Sequence, residues 1–242
     1  MLHLDEIGSG PAIGLVHGFT QTRRSWEPIV DHIQDATLKS VDLPGHGLSD
    51  LRVPSFGETA RAIVETIGSG CYVGYSMGAR LCLRAALDHP ESVTKLILIA
   101  GTPGIEDERA RGARLASDLA LADRIESIGL RAFLDEWLSQ PIFSDIDHDS
   151  EEYRLENTAI GLASALRRLG TGAMESMWSA LGSMQVPTLI IVGGLDRKFV
   201  DIGHEMQERI PGSRIAIVED AGHAAHRGSP DEVTELIREF AG

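Results

Sequence analysis

Gly74-Tyr75-Ser76-Met77-Gly78 sets a serine between two glycines. An apolar, β-prone run, Gly70-Cys71-Tyr72-Val73, precedes it, and a helix-prone run from Ala79 to Leu87 follows. That order predicts strand, sharp turn and helix, with the Ser76 hydroxyl exposed at the tip of a nucleophile elbow. The glycines have a steric reason, since flanking Cβ atoms would collide in so tight a turn. A hydroxyl at the start of a helix also meets free N–H groups and the favourable end of the helix dipole. Serine is a weak nucleophile or base until a neighbour takes its proton. His223 follows the last strand-like run, and Asp196 follows the strand-like run before it. The chain order Ser, Asp, His suits a triad. In it the imidazole moves protons near neutrality, and the aspartate fixes its tautomer and stabilises the imidazolium.

Asp201 competes with Asp196, but it lies further beyond its strand, and His226 competes with His223. A metal site on His223 and His226 lacks a third ligand at recognisable spacing, so neither a metal nor an organic cofactor is expected. Negative charge developing on a substrate oxygen calls for two backbone N–H donors. One is expected from Met77, the other from Phe19 in His17-Gly18-Phe19, after the first long apolar run. His17 and His46 are read as shaping their loops.

These residues need strand ends to hold them. Met1 to Asp5 reads as a short edge strand and Gly8 to Pro11 as a turn. The apolar runs Ala12–Val16, Thr37–Val41, Gly70–Val73, Lys95–Ala100, Pro187–Val192 and Arg214–Val218 read as strands, mostly buried on both faces. Helices are expected over Ser25–Ile33, Phe56–Ile67, the run after the elbow, Ile202–Ile210, and from an N-cap at Ser229 onward. Alternating strands and helices predict an α/β fold with a mostly parallel, doubly wound sheet flanked by helices. The alternation stops at Gly101. From Thr102 to Gln185 the chain is helix-prone, arginine-bearing and free of strand-like runs. The expected division is a core of residues 1–101 and 186–242 with a helical cap of residues 102–185.

A chain of 242 residues suits one such domain with an insertion. Its net charge of −14, from 22 basic and 36 acidic residues, argues against nucleic-acid or anionic-membrane binding. No signal peptide and no membrane-spanning run is read. Two cysteines, Cys71 and Cys82, read as small buried thiols, which fits a reducing cytoplasm. Either a monomer or a homo-oligomer is compatible with the chain.

His17-Gly18-Phe19, Asp42 to Ser49, Gly74 to Gly78 and Gly222-His223 resemble the α/β-hydrolase superfamily. The insertion is more specific. Gly101-Thr102-Pro103-Gly104-Ile105, Glu108 to Arg114, Phe133 to Phe143, Gly161-Leu162-Ala163, Leu169 to Gly172, Asp196 to Phe199 and Gly222 to His226 resemble the MenH family. Those enzymes are the 2-succinyl-6-hydroxy-2,4-cyclohexadiene-1-carboxylate synthases of menaquinone biosynthesis. The resemblance covers nearly the whole chain. It implies a lyase that eliminates pyruvate from 2-succinyl-5-enolpyruvyl-6-hydroxy-3-cyclohexene-1-carboxylate, with Ser76 as proton acceptor. It also implies substrate contacts from Arg80, Arg114 and Arg154, with Tyr75 and Trp137 beside them, because guanidinium groups bind carboxylates bidentately. The sequence departs from that family at Ala79, where a second glycine is usual. The methyl group is expected to crowd either the pocket or the packing of helix on strand. An esterase or carbon–carbon bond hydrolase with Ser76 acylated is the alternative on this fold. A silent binding protein is a third reading, against which a full set of triad candidates argues.

Overall fold

The computed structural model describes residues 2–146 and 148–242. Met1, where the edge strand was expected to begin, lies outside them. Among the described residues seven strands form one sheet: β1 (Leu4–Gly8), β2 (Ala12–Val16), β3 (Thr37–Val41), β4 (Gly70–Tyr75), β5 (Val93–Ile99), β6 (Thr188–Gly193) and β7 (Arg214–Val218). Their order is β1-β3-β2-β4-β5-β6-β7. Every pair is parallel except β1 with β3, which places the antiparallel strand at the edge. Winding reverses between β2 and β4, and the crevice outside their carboxyl ends is where such sheets bind ligands. The inner strands are apolar without alternation because both faces are covered; all of β4 and β6 is buried.

The helices are α1 (Glu27–Val30), α2 (Phe56–Ile67), α3 (Met77–Asp88), α4 (Glu108–Ile128), α5 (Leu130–Leu138), α6 (Ala159–Leu169), α7 (Arg197–Arg209), α8 (Ala225–Gly228) and α9 (Pro230–Ala241). Their ends follow from local chemistry. Ser55 and Glu58 form a reciprocal capping box at the start of α2, and Gly68 at φ 78° ends it. Asp107 caps α4 through the Ala110 N–H, and Thr158 caps α6 through the Gly161 N–H.

The edge strand expected over Met1 to Asp5 lies at Leu4–Gly8, and three helix boundaries differ as well. The segment from Ser25 to Ile33 buries Trp26, Ile29 and Ile33 as its spacing predicts. Its backbone, however, is a 3-10 turn (Arg23–Trp26), the four-residue α1, and then tight bonds from His32 to Ile29 and from Ile33 to Val30. Helix α7 begins at Arg197 rather than Ile202: its first turn opens on the exposed Arg197 and Lys198 and continues through the half-buried Phe199 and Val200, which pack against the core. Ser229 precedes α9, but its side chain caps nothing: the preceding turn α8 holds it at φ −139°, ψ 62°, with its N–H on the Ala225 carbonyl.

One apolar layer on the sheet joins Ile63, Ile67, Leu81, Leu98 and Met206, and the other joins Leu15, Trp26, Val73, Ile97 and Ile237. A third, smaller cluster lies among α4, α5 and α6, built on Ile125, Phe133, Leu162 and Leu166. Phe19 packs against both this cluster and the first sheet layer, so the inserted helices meet the sheet at the end of β2. No helix of the described residues is long and apolar enough to cross a membrane.

Candidate active site

Ser76 sits between β4 and α3 at φ 49°, ψ −103°, a conformation that non-glycine residues rarely adopt. Close approach on every side forces it. A Cβ on Gly74 would lie 2.6 Å from the Gly78 backbone, and one on Gly78 would lie 2.1 Å from the Val16 carbonyl oxygen. The glycines therefore let α3 cross directly over the ends of β4 and β2. The two other non-glycine residues with positive φ, Thr20 (68°) and Ala100 (47°), follow β2 and β5. Strain among the described non-glycine residues is thus confined to three neighbouring strand ends.

The sheet brings the three distant triad candidates together. His223 Nε2 lies 3.1 Å from Ser76 Oγ, and His223 Nδ1 lies 2.7 Å from Asp196 Oδ2. With its proton on Nδ1, donated to the carboxylate, His223 keeps Nε2 free to accept from the serine. Phe199 packs edge-on to the imidazole with ring centroids 4.5 Å apart. Among the described residues no hydrogen bond or ion pair joins Asp201 to His223, so of the two competing aspartates Asp196 is the one bonded to the imidazole. His226 is buried away from Ser76, between Trp26 and Tyr75 with centroids 4.8 and 4.3 Å apart. Burial holds its pKa well below the ordinary value.

Met77 is the first residue of α3, so its N–H has no acceptor within the helix. The Phe19 N–H makes no backbone hydrogen bond among the described residues. Its direction is set by the peptide before it. The Gly18 carbonyl accepts from His17 Nδ1–H at 2.8 Å and from the Gln21 N–H at 3.2 Å, and in a trans peptide the following N–H points the opposite way. His17 also accepts the Leu43 N–H at Nε2, 3.0 Å away. Burial lowers the pKa of His17 to about 4 and that of His46 to about 3, so both are neutral loop supports.

The arginines are held in different ways. Arg80 lies one helical turn beyond Ser76 and is 6% exposed. Its Nη1 donates to the Leu169 carbonyl at 2.8 Å and approaches Met174 Sδ at 3.3 Å, and no carboxylate forms an ion pair with it among the described residues. Burial, aided by the nearby charge of Arg114, lowers its pKa to about 10. Arg114 is more open and pairs with Asp118 at 2.7 Å. Arg154 is 1% exposed and is bound by Glu151 and by the Thr20 hydroxyl. Glu151 accepts in addition from the Tyr153 hydroxyl and from Arg227.

Tyr75 is buried, with its ring 5.5 Å from that of His223. Trp137 packs on Phe19 at 5.4 Å, and its buried indole N–H has no partner among the described residues. The Ala79 methyl lies on the packing side: Ala79 is wholly buried, and a Cβ on Gly101 would come within 2.9 Å of it. Gly101 makes the room that a glycine at 79 would otherwise provide. Among the described residues no group of three or more His, Cys, Asp or Glu is placed to hold a metal ion.

Residues that local sequence reasoning missed act mostly across long separations, the i,i+3 pair of Glu151 with Arg154 excepted. Asn157 and Glu151 hold the Thr20 turn and Arg154. Asp145 accepts the Gly222 N–H at 2.6 Å, bracing the loop that carries His223.

Comparison with known proteins matches residues 15–236 to the Alpha/beta hydrolase family. A Bacillus subtilis (strain 168) protein, provisionally named a 2-succinyl-6-hydroxy-2,4-cyclohexadiene-1-carboxylate synthase, is 36% identical over 95% of this chain and 89% of its own. The enzyme of that name from Enterobacter sp. (strain 638) is 28% identical over 95% of this chain and 91% of its own. The solved structure of MenH from S. aureus superposes with a TM-score of 0.93 at 29% identity, over 99% of this chain and 98% of that one. An esterase from Exiguobacterium antarcticum, 21% identical, shares the fold with a TM-score of 0.80 over 99% and 95% of the two chains.

Proposed function

Because the chain belongs to the Alpha/beta hydrolase family and, within it, to that of the 2-succinyl-6-hydroxy-2,4-cyclohexadiene-1-carboxylate synthases, we propose that it performs their elimination in menaquinone biosynthesis. The substrate is 2-succinyl-5-enolpyruvyl-6-hydroxy-3-cyclohexene-1-carboxylate and the leaving group is pyruvate. The observation that carries the reading to this chain is Arg80: a buried guanidinium on the helix that follows Ser76, with no carboxylate partner among the described residues. A buried charge without a counter-ion is costly, and a carboxylate of the substrate would supply one.

In this reading His223 Nε2 accepts the Ser76 hydroxyl proton, and the serine oxygen removes the carbon-bound proton next to the succinyl carbonyl. Asp196 stabilises the imidazolium that results. The electron pair delocalises onto the carbonyl oxygen, where the Phe19 and Met77 N–H groups receive it. The ring carbon–oxygen bond then breaks, the ring gains its second double bond, and the enolpyruvyl group leaves with the bonding pair and takes up a proton to become pyruvate. No acyl-enzyme forms and no water is consumed. Arg80, Arg114 and Arg154 receive carboxylates, and the unpartnered indole N–H of Trp137 and the ring of Tyr75 line the same pocket. Residues 102–185 act as the cap over a core of residues 1–101 and 186–242. A small, dissolved polyanion as substrate suits a cytoplasmic enzyme.

Pyruvate release tests this. With the substrate generated in situ by the preceding synthase of the pathway, the wild-type protein should release pyruvate far above the spontaneous rate. Ser76→Ala should lose roughly 10⁴-fold in kcat, as triad members do. Wild-type release at the background rate would overturn the reading, as would a covalent acyl-enzyme seen by mass during turnover.

A further inference from the structure

Gly18 to Gln21 form a tight turn closed by the bond from the Gln21 N–H to the Gly18 carbonyl, with Thr20 at its third position at φ 68°. Turns with positive φ at that position ordinarily carry glycine or asparagine there. A β-branched threonine keeps such a conformation only when its surroundings over-determine it. The Thr20 hydroxyl accepts from Arg154, and the Thr20 carbonyl accepts from Asn157 Nδ2 at 2.8 Å. Asn157 is 4% exposed, with its amide matched on both sides. Its second Nδ2 hydrogen bond goes to the Arg154 carbonyl at 2.9 Å, and Oδ1 accepts the Gly47 N–H at 2.9 Å. One side chain from the inserted region therefore ties together the turn after β2, the loop after β3 and the segment that carries Arg154.

We propose that Asn157 is a positioning residue, holding the Gly18–Gln21 turn in its strained form so that the Phe19 N–H faces the oxygen on which charge develops. This rests on the reading of Phe19 as an oxyanion donor. If Thr20 relaxed to negative φ, the Phe19–Thr20 peptide would rotate and the Phe19 backbone would move with it. The inserted region thereby shapes the oxyanion hole without contributing an atom to it. Its effect falls on the charged transition state more than on the bound substrate.

Asn157→Asp is nearly isosteric and keeps the acceptor for Gly47, but it removes both donors and sets carboxylate oxygen against the Thr20 and Arg154 carbonyls. Asn157→Ser removes the same donors without adding charge and serves if the aspartate variant does not fold. The expected result for pyruvate release is a 10- to 100-fold lower kcat with KM changed less than about threefold. Amide resonances of ¹⁵N-labelled protein supply a readout independent of turnover: those of Phe19 and Thr20 should shift while that of Met77 stays in place. Unchanged Phe19 and Thr20 resonances would overturn the proposal, and so would displaced resonances with an unchanged kcat. If the wild-type protein releases no pyruvate, the elimination reading fails, while the resonances still decide whether Asn157 holds the turn.

Discussion

Arg80 and Arg154 are both almost wholly buried, yet the core and the inserted region hold them in opposite ways. Arg80, on α3, has a carbonyl and a sulfur as neighbours, and burial weakens its hold on its proton. Arg154, in the insertion, is paired with Glu151, and the surrounding negative and polar groups raise its pKa despite burial. A charge compensated within the protein also ties the fold together, whereas an uncompensated one is left open to a carboxylate from outside. The two therefore carry different costs. Removing a partner from a buried pair strands the other charge, while removing a lone buried charge relieves the fold and harms only binding.

The largest effect expected from this contrast is on stability. Arg154→Met leaves the buried Glu151 with Arg227 and the Tyr153 hydroxyl alone, and it frees the Thr20 hydroxyl. It should cost about 3 kcal/mol, or roughly 6–12 °C in Tm for a chain of this length. A smaller loss in the double variant with Glu151→Gln would confirm that the carboxylate's lost pairing with Arg154 is the cause; an unchanged Tm in the single variant would break the contrast. Next is Arg80→Met, which keeps apolar bulk and removes the charge. It should lower kcat/KM for pyruvate release about 30- to 100-fold, equivalent to about 2–3 kcal/mol for lost charge-assisted contacts, with Tm unchanged or raised. A marked fall in Tm would mean that Arg80 is a tie after all.

The smallest effect concerns the neutral histidines that support the core loops. Burial lowers the folded-state pKa of His17 to about 4 and of His46 to about 3, while the unfolded chain titrates near 6.5. Between those values the unfolded state binds more protons, so this contribution is present above pH 6.5 and is lost as pH falls toward 4. Each histidine should cost about 1 kcal/mol between pH 6.5 and 5.5. His46→Gln should flatten that slope by its share, as read from denaturant melts at the two pH values. An unaltered slope would mean that His46 is not buried neutral.

The parts of this molecule that were legible in its sequence are those whose cause is local. Helix α2 spans Phe56–Ile67 as expected because its capping box and the glycine after it are written side by side. Ser76, Asp196 and His223 are legible because each follows an apolar strand run, and the parallel sheet brings strand ends together. The Asn157–Thr20 and Asp145–Gly222 bonds span 137 and 77 residues, and neither end carries a local pattern. Thr20 in particular looks like an ordinary polar residue, since its sequence neighbours do not predict positive φ. The missing Ser229 cap has the reverse cause. A good local signal there is overruled by the turn α8, which fixes the serine backbone before its side chain can reach the helix.

The contact of Gly78 with the Val16 carbonyl has a consequence for how such proteins diversify. It fastens the Ser76 turn to the strand from which the Phe19 loop emerges, so the proposed nucleophile and oxyanion donors move as one piece. Helices laid over that piece can change their exposed faces without altering the spacing beneath them, provided the bonds to the Thr20 turn are kept. A single chemical platform is thereby inherited whole. In the proposed reading its specificity is set by the stretch laid over it, which stays bound to the platform through the bond from Asn157 and through Leu169, Met174 and Trp178 in the apolar layer of the sheet.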